Sequence, residues 1–450
     1  MVGATLSRWS MSYFAVALVC LLAGEALMAA GFGFPAAAVS SPDSLVVVHL
    51  IAIGWLSLLM LGALFQFVPV LIAGPIYSNA LPLPTLALLL AGLAALLLGF
   101  LQLGGDIPGP YSCFSAAAVL LGSGFALALW NLGRTLWQAR PLPLPARFVT
   151  IGLLCAGATA ALGIVFALVL DGATDNPRLV DLTTYGIPVH AAAGLGGWLT
   201  FTALGVSYRL LAMFMLAPEL DSARSRAALY SGTVALAVVI LGGTAAICLG
   251  RGLNAVFAVS SLLGLCAVAL YGADILHLYR ARKRRKIELN ARMAAVALTN
   301  LTVLVLLSVA LIALGRFETK IGAVVFLTAF GWLTGLGLAK LYKIVAFLTW
   351  LECYGPVLGK TATPRVQDLV VESRAAKWFW LYFAGVWSAT ACLLLETPAG
   401  FRASAALMLA GTIGIGVQIV RTRLMADVKA ELRLSHLTRR PPLLASQQAH

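Results

Sequence analysis

The tripeptide Gly-Trp-Leu opens at Gly54, Gly197 and Gly331, each time inside a long apolar run, and the flanking residues repeat with it. Eight residues after each glycine lies a small residue (Gly62, Gly205, Ala339). Eleven after it lies an aromatic (Phe65, Tyr208, Tyr342), and twelve after it a long polar side chain (Gln66, Arg209, Lys343). Fifteen after it stand Pro69, Ala212 and Ala346, so the register holds for four turns of helix without a gap. The copies are 143 and 134 residues apart, with other apolar segments between them. A repeat of this period predicts three related helical units.

The solvent of those units follows from what the chain lacks. Of 450 residues, 61% are hydrophobic and only 11% charged, with a mean hydropathy of +0.96. That leaves too little polar surface to cover a water-soluble protein of this size, so lipid is the medium most of the surface meets. Runs long enough to cross a bilayer, which takes about 20 residues, fall near 10–34, 44–73, 81–103, 112–138, 146–170, 187–216, 226–249, 252–279, 291–315, 320–354, 374–395 and 399–421. The sequence thus predicts an all-α polytopic membrane protein of twelve spans, with the repeat in the second, sixth and tenth. Three pseudo-symmetric four-helix units are expected over about 10–138, 146–279 and 291–421, within one membrane domain of residues 1–421. Residues 422–450 read as a basic cytoplasmic tail. The first run is longer than the apolar core of a signal peptide and is expected to remain as a span.

Orientation follows from the basic residues. With the N-terminus inside, all but five of the 31 Lys and Arg (Arg178, Arg251, Arg316, Lys320, Arg402) fall on the inner side. The run from Arg280 to Lys286 is the main anchor, while Asp43, Asp106, Asp171, Asp175 and Asp181 mark the outer loops. This bias places both termini in the cytoplasm, and a bacterial-type inner membrane is the expected location. The net charge of +14 is accounted for in the same way, as contact with anionic headgroups; no nucleic-acid partner is indicated.

Depth then singles out a few polar residues. The second and sixth spans run inward, so His49 and His190 lie in their outer parts, His49 roughly 7–8 Å inside its span at 1.5 Å per residue. The first span runs outward and carries Glu25 about 13 Å from its outer end. Gln66, Arg209 and Lys343 form an inner polar triad beside Tyr208 and Tyr342. One reading has these side chains snorkelling to the cytoplasmic surface, with Lys340 on the Lys343 face; the other has them rimming a shared vestibule. The Glu219-Leu220-Asp221 loop is near enough in sequence to pair with Arg209. Seven cysteines occur singly with no Cys-x-x-Cys, so neither a disulfide framework nor a zinc site is indicated.

Twelve spans, a four-helix period and a histidine in the outer part of the second and sixth spans resemble subunit I of haem-copper oxidases. The segments around Gly54–Gln66, Gly205–Leu211 and Leu341–Leu351 are similar to those of the uncharacterised oxidase-subunit-I-like proteins and the NnrS-type haem- and copper-containing proteins. The resemblance implies a threefold pseudo-symmetric ring, with respiratory-chain or other membrane subunits as partners.

Departures from that pattern bear on chemistry. The resemblance implies a low-spin haem between histidines of the second and tenth spans; His49 fits the first, but Phe326 stands at the aligned position of the tenth. The copper-site pattern wants a tyrosine four residues after its first histidine, where His190 is followed by Gly194, and the seventh span has no histidine. His277, His436 and His450 sit at the cytoplasmic end or in the tail. An oxygen-reducing binuclear centre is therefore not expected, and an enzymatic role is disfavoured. Two readings remain open. In one, His49, with or without His190, ligates a haem or copper ion, and Glu25 supports the ligand, as metal-bound imidazoles need. Such a protein would serve electron transfer, nitric oxide response or respiratory-enzyme maturation. In the other, the histidines are ordinary interfacial residues and the chain is a cofactor-free permease or assembly partner.

Overall fold

The structure is a computed structural model that describes residues 8–109, 113–432 and 441–445. Pro110 of the expected third loop, and His436 and His450 with most of the tail, lie outside the described residues. Every regular element among the described residues is helical. In chain order the main helices are α1 (Ser10–Ala30), α2 (Pro42–Ile72), α3 (Pro82–Gly104), α4 (Phe114–Gln138), α5 (Leu144–Leu170), the short α6 (Pro177–Tyr185), and α7 (Ile187–Met215). There follow α8 (Ala223–Cys248), α9 (Asn254–Arg280), α10 (Leu289–Ala313), α11 (Phe317–Val357, its last turn 3₁₀), α12 (Glu372–Leu394) and α13 (Pro398–Arg423).

Eleven of these are long and apolar enough to cross a bilayer. The chain is an all-α polytopic membrane protein. The span expected at 374–395 is the 23-residue helix α12, which falls outside that set. Glu372, Arg374 and Lys377 charge its first turns, and Trp378, Trp380 and Trp387 dilute the aliphatic content that the other spans carry. The outer segment between the spans expected at 146–170 and 187–216 contains α6, capped by the Asn176 side chain on the Arg178 N–H.

Local signals explain where helices begin and end. At the start of α2 the Ser41 hydroxyl accepts from the Ser44 N–H, Pro42 occupies the first turn, and Asp43 faces the positive end of the helix dipole. Helix α1 stops at Gly31, whose left-handed backbone (φ 89°) lets its N–H reach back to the carbonyls of Leu27 and Met28.

The chain divides into two compact units, one formed by residues 1–66 with 288–450 and the other by residues 67–287. In the first, α1 packs between α2 and α13, α13 lies against α12 and α11, and α10 packs on α11. The α12–α13 contact is close because a Cβ at Gly385 would lie 2.8 Å from the Met408 nitrogen and one at Gly411 2.7 Å from the Tyr382 nitrogen. Small residues give lipid-embedded helices this approach. In the second unit α3, α4 and α5 pack in sequence, α5 lies against α7, and α8 pairs with α9. Large apolar side chains face outward, Leu262 of α9 at 70% exposure, while Asp274 on the same helix is fully buried. That inverts the arrangement of a water-soluble protein.

Candidate functional site

The repeat has a structural counterpart that hydropathy alone does not show. At each Gly-Trp-Leu the helix widens into a π-helical stretch: Leu50–Ser57 in α2, Ala192–Phe201 in α7 and Leu327–Thr334 in α11. The first and third start four residues before their glycine and end three after it. The second is one residue wider at each end. Such i→i+5 segments are rare, and they concentrate at functional sites. A wide turn also turns carbonyls out of the regular ladder, and side chains meet them here. In α11 the Phe330 carbonyl accepts from the Tyr382 hydroxyl (2.8 Å). The neighbouring Gly331 carbonyl accepts from Asn300 Nδ2 (3.0 Å), and Asn300 Oδ1 in turn accepts from Trp387 Nε1 (2.9 Å). Trp55 of α2 donates its indole N–H to Thr334 Oγ1 (2.8 Å), joining the first and third π stretches directly. Both Trp55 and Trp332 are fully buried.

Beside this cluster lies Glu25, at 0% exposure. Its Oε1 accepts from Thr412 Oγ1 of α13 (3.0 Å), and its Oε2 has no hydrogen-bond partner among the described residues. No Lys or Arg pairs with it among those residues. The Tyr382 side chain, which also hydrogen-bonds Thr334, lies close enough to interact electrostatically with the carboxyl. An unpaired charge here costs several kcal/mol, by order of magnitude.

The two histidines are housed separately. His49 is the last residue before the first π stretch, and its Nδ1 lies 2.8 Å from the Leu45 carbonyl. A carbonyl only accepts, so Nδ1 carries the proton and the lone pair is on Nε2, the tautomer a metal-ligating imidazole adopts. His190, in the other unit, is half-buried, with its ring 5.4 Å from that of Phe166 and against Gly163 of α5. Phe326 fills the aligned place in α11, packed on Phe330 (4.8 Å between centroids) and Phe401 (5.5 Å). Among the described residues no three His, Cys, Asp or Glu side chains converge as a metal-binding set. His49 offers one imidazole nitrogen, and among the described residues Phe326 offers no donor at the aligned place in α11 for an oxidase-type haem.

The inner triad does not share one environment. Gln66 is buried and donates to Ser10 Oγ (2.9 Å), which donates to the Gly62 carbonyl (2.9 Å). Lys343 pairs with Glu288 (2.7 Å), which also accepts from Gln367 (3.0 Å); Lys340 beside it is buried as well. Both lysine side chains are thus largely covered by protein. Arg209 does pair with Glu219 of the following loop. Tyr342 packs edge-on against Phe379 (5.8 Å). Tyr208 donates to Asp274 (2.9 Å), which also accepts from Arg224 (2.5 Å).

Three features escaped sequence reasoning. The π stretches leave no hydropathic trace. Asp274 was legible only as one acid within an apolar helix, with no pointer to Arg224, 50 residues away. Arg423, at the end of α13, pairs with Glu352 (2.8 Å) and donates to the carbonyls of Pro442 (2.8 Å) and Ala445 (3.0 Å), seating the described part of the tail. Two residues before it the Arg421 guanidinium, followed by that of Arg374, holds the Asp427 carboxyl below the usual aspartate range. No protein-family model matches the chain, and no curated protein matches its sequence.

Proposed function

We propose that the chain is a haem-copper oxidase subunit I-like membrane protein of the branch that includes the NnrS-type proteins. It is not an oxygen reductase, and it holds haem or copper through His49. The ring of three four-helix units, the bacterial inner membrane, cytoplasmic termini and respiratory or other membrane subunits as partners belong to the same proposal. The observation that supports the site is the Nδ1–Leu45 carbonyl bond at the edge of the π stretch, which fixes the ring and leaves the lone pair on Nε2. A haem iron or copper held there supplies a metal able to take a diatomic ligand. The chain's own contribution is the orientation of His49 and, through Phe326, the absence of a second ligand from α11. The test is an absorption spectrum with metal analysis of purified protein, then His49→Ala against His190→Ala. Loss of the Soret band or copper only in the first supports the proposal. Unchanged spectra in both variants remove His49 from any cofactor role.

The second reading, a cofactor-free permease or assembly partner, is favoured by one observation: the fully buried Glu25 carboxyl with an oxygen left over. Intramembrane acids of this kind mark ion and proton pathways. Absence of both haem and copper from protein purified under supplementation selects this reading.

A further inference from the structure

Glu25 carries a conclusion of its own, independent of whether His49 binds a cofactor. The carboxyl is fully buried in one unit: α1 bears it, α13 supplies Thr412, α12 carries Tyr382 within electrostatic reach, and α2 packs Ile51 against the neighbouring Gly24. Oε1 is satisfied by the Thr412 hydroxyl, and Oε2 is the unpartnered atom. The polar groups nearby are hydroxyls and an indole linked in series: Tyr382 to Thr334 and the Phe330 carbonyl, and Trp55 to Thr334. A hydroxyl both gives and accepts a proton. The other charged and imidazole side chains on these helices are Asp43 and His49 on α2, Arg402, Arg421 and Arg423 on α13, and Glu372, Arg374 and Lys377 in the first turns of α12. On α11 they are Glu318 and Lys320 at its start, Lys340, Lys343, held by Glu288, and Glu352, held by Arg423. None of the basic groups pairs with Glu25 among the described residues.

We propose that Glu25 is an intramembrane proton-binding site, loaded and unloaded at Oε2 through the Tyr382–Thr334 hydroxyls, with Thr412 holding Oε1 in both states. Loading transfers one proton to the carboxylate and gives the neutral acid; unloading returns it; no electron moves and no bond between heavy atoms changes. A metal cation is the poorer occupant, because a hard cation takes six or more oxygens and no converging set of acidic or imidazole ligands surrounds this carboxyl among the described residues. The Tyr382 hydroxyl is itself held by the Phe330 carbonyl in the π stretch of α11.

The experiment is infrared difference spectroscopy between acidic and alkaline pH on the full chain in lipid nanodiscs. A carboxylic C=O band that appears and disappears reversibly with pH is expected in the natural protein, and it is expected to vanish in Glu25→Gln. Thr412→Val keeps the acid and removes one hydrogen bond, so the band moves to higher frequency there, which assigns it even where Glu25→Gln fails to fold. Tyr382→Phe slows the exchange of the same band after a pH jump. No pH-dependent carboxylic band in the natural protein, or a band unmoved by Thr412→Val, overturns the proposal. The haem or copper spectrum is read separately, so either conclusion can fail alone.

Discussion

The Arg423–Glu352 pair makes a demanding test of how charge is tolerated inside this bundle. The two side chains are 3% and 8% exposed and 2.8 Å apart. At an effective dielectric of about 20 their gross attraction is about 6 kcal/mol, most of it offset by the cost of removing both charges from water. Removing one partner is a different matter. Arg423→Met takes the guanidinium from the Glu352 carboxylate and also releases the carbonyls of Pro442 and Ala445, so the expected loss is about 3–5 kcal/mol. That corresponds to roughly a hundred- to several-thousand-fold in the folding equilibrium at about 1.4 kcal/mol per tenfold. Glu352→Leu costs less, because Arg423 keeps those two carbonyls and the Thr349 hydroxyl at 3.3 Å. The double variant removes both charges and is expected to lie within about 1–2 kcal/mol of Glu352→Leu, far from the sum of the two single losses. The assay is reversible unfolding in mixed micelles followed by the fluorescence of the ten tryptophans. Strict additivity of the single losses refutes the reasoning.

The remaining expectations concern packing, pH and topology. Gly205→Ala would put a methyl 2.5 Å from Phe148 Cβ and 2.8 Å from the Pro145 carbonyl, so a loss of about 1–3 kcal/mol is expected by the same unfolding assay. Gly62→Ala meets Tyr13 Cβ at 2.7 Å and is expected to behave alike, and a neutral outcome at both sites contradicts the close helix contact. Asp427 has its folded-state pKa depressed by Arg421 and Arg374, so its contribution is present above the ordinary value of 3.8 and is lost as pH falls through the folded value below it. Asp427→Asn is therefore expected to lower stability by a constant amount at neutral and alkaline pH and to flatten the acid limb of a stability–pH profile; an unchanged neutral plateau speaks against this pairing. Reporter fusions after Arg285 and at the C-terminus should both report cytoplasm, and a periplasmic signal at either place reverses the orientation read from the basic residues.

Hydropathy and period are local properties, and they were sufficient for the broad architecture. They made legible the all-helical class, the lipid solvent, the register of the three repeat helices and the small residues at Gly62 and Gly205, where helices approach. They also made legible the Arg209–Glu219 pair, whose members are ten positions apart. The site rests on contacts between distant parts of the chain. Glu25 meets Thr412 across 387 positions and Trp55 meets Thr334 across 279, and no pattern in either neighbourhood names the other. The widened turns at Gly-Trp-Leu belong to the same class. A π stretch takes the same apolar residues as an α-helix, so its hydropathy is silent, and the Tyr382 and Asn300 side chains that meet its carbonyls arrive from other helices. For Lys343 the sequence offered the membrane surface as one destination. The fold supplies a partner that the sequence did not name, the largely buried Glu288 carboxylate 2.7 Å away, which satisfies the ammonium.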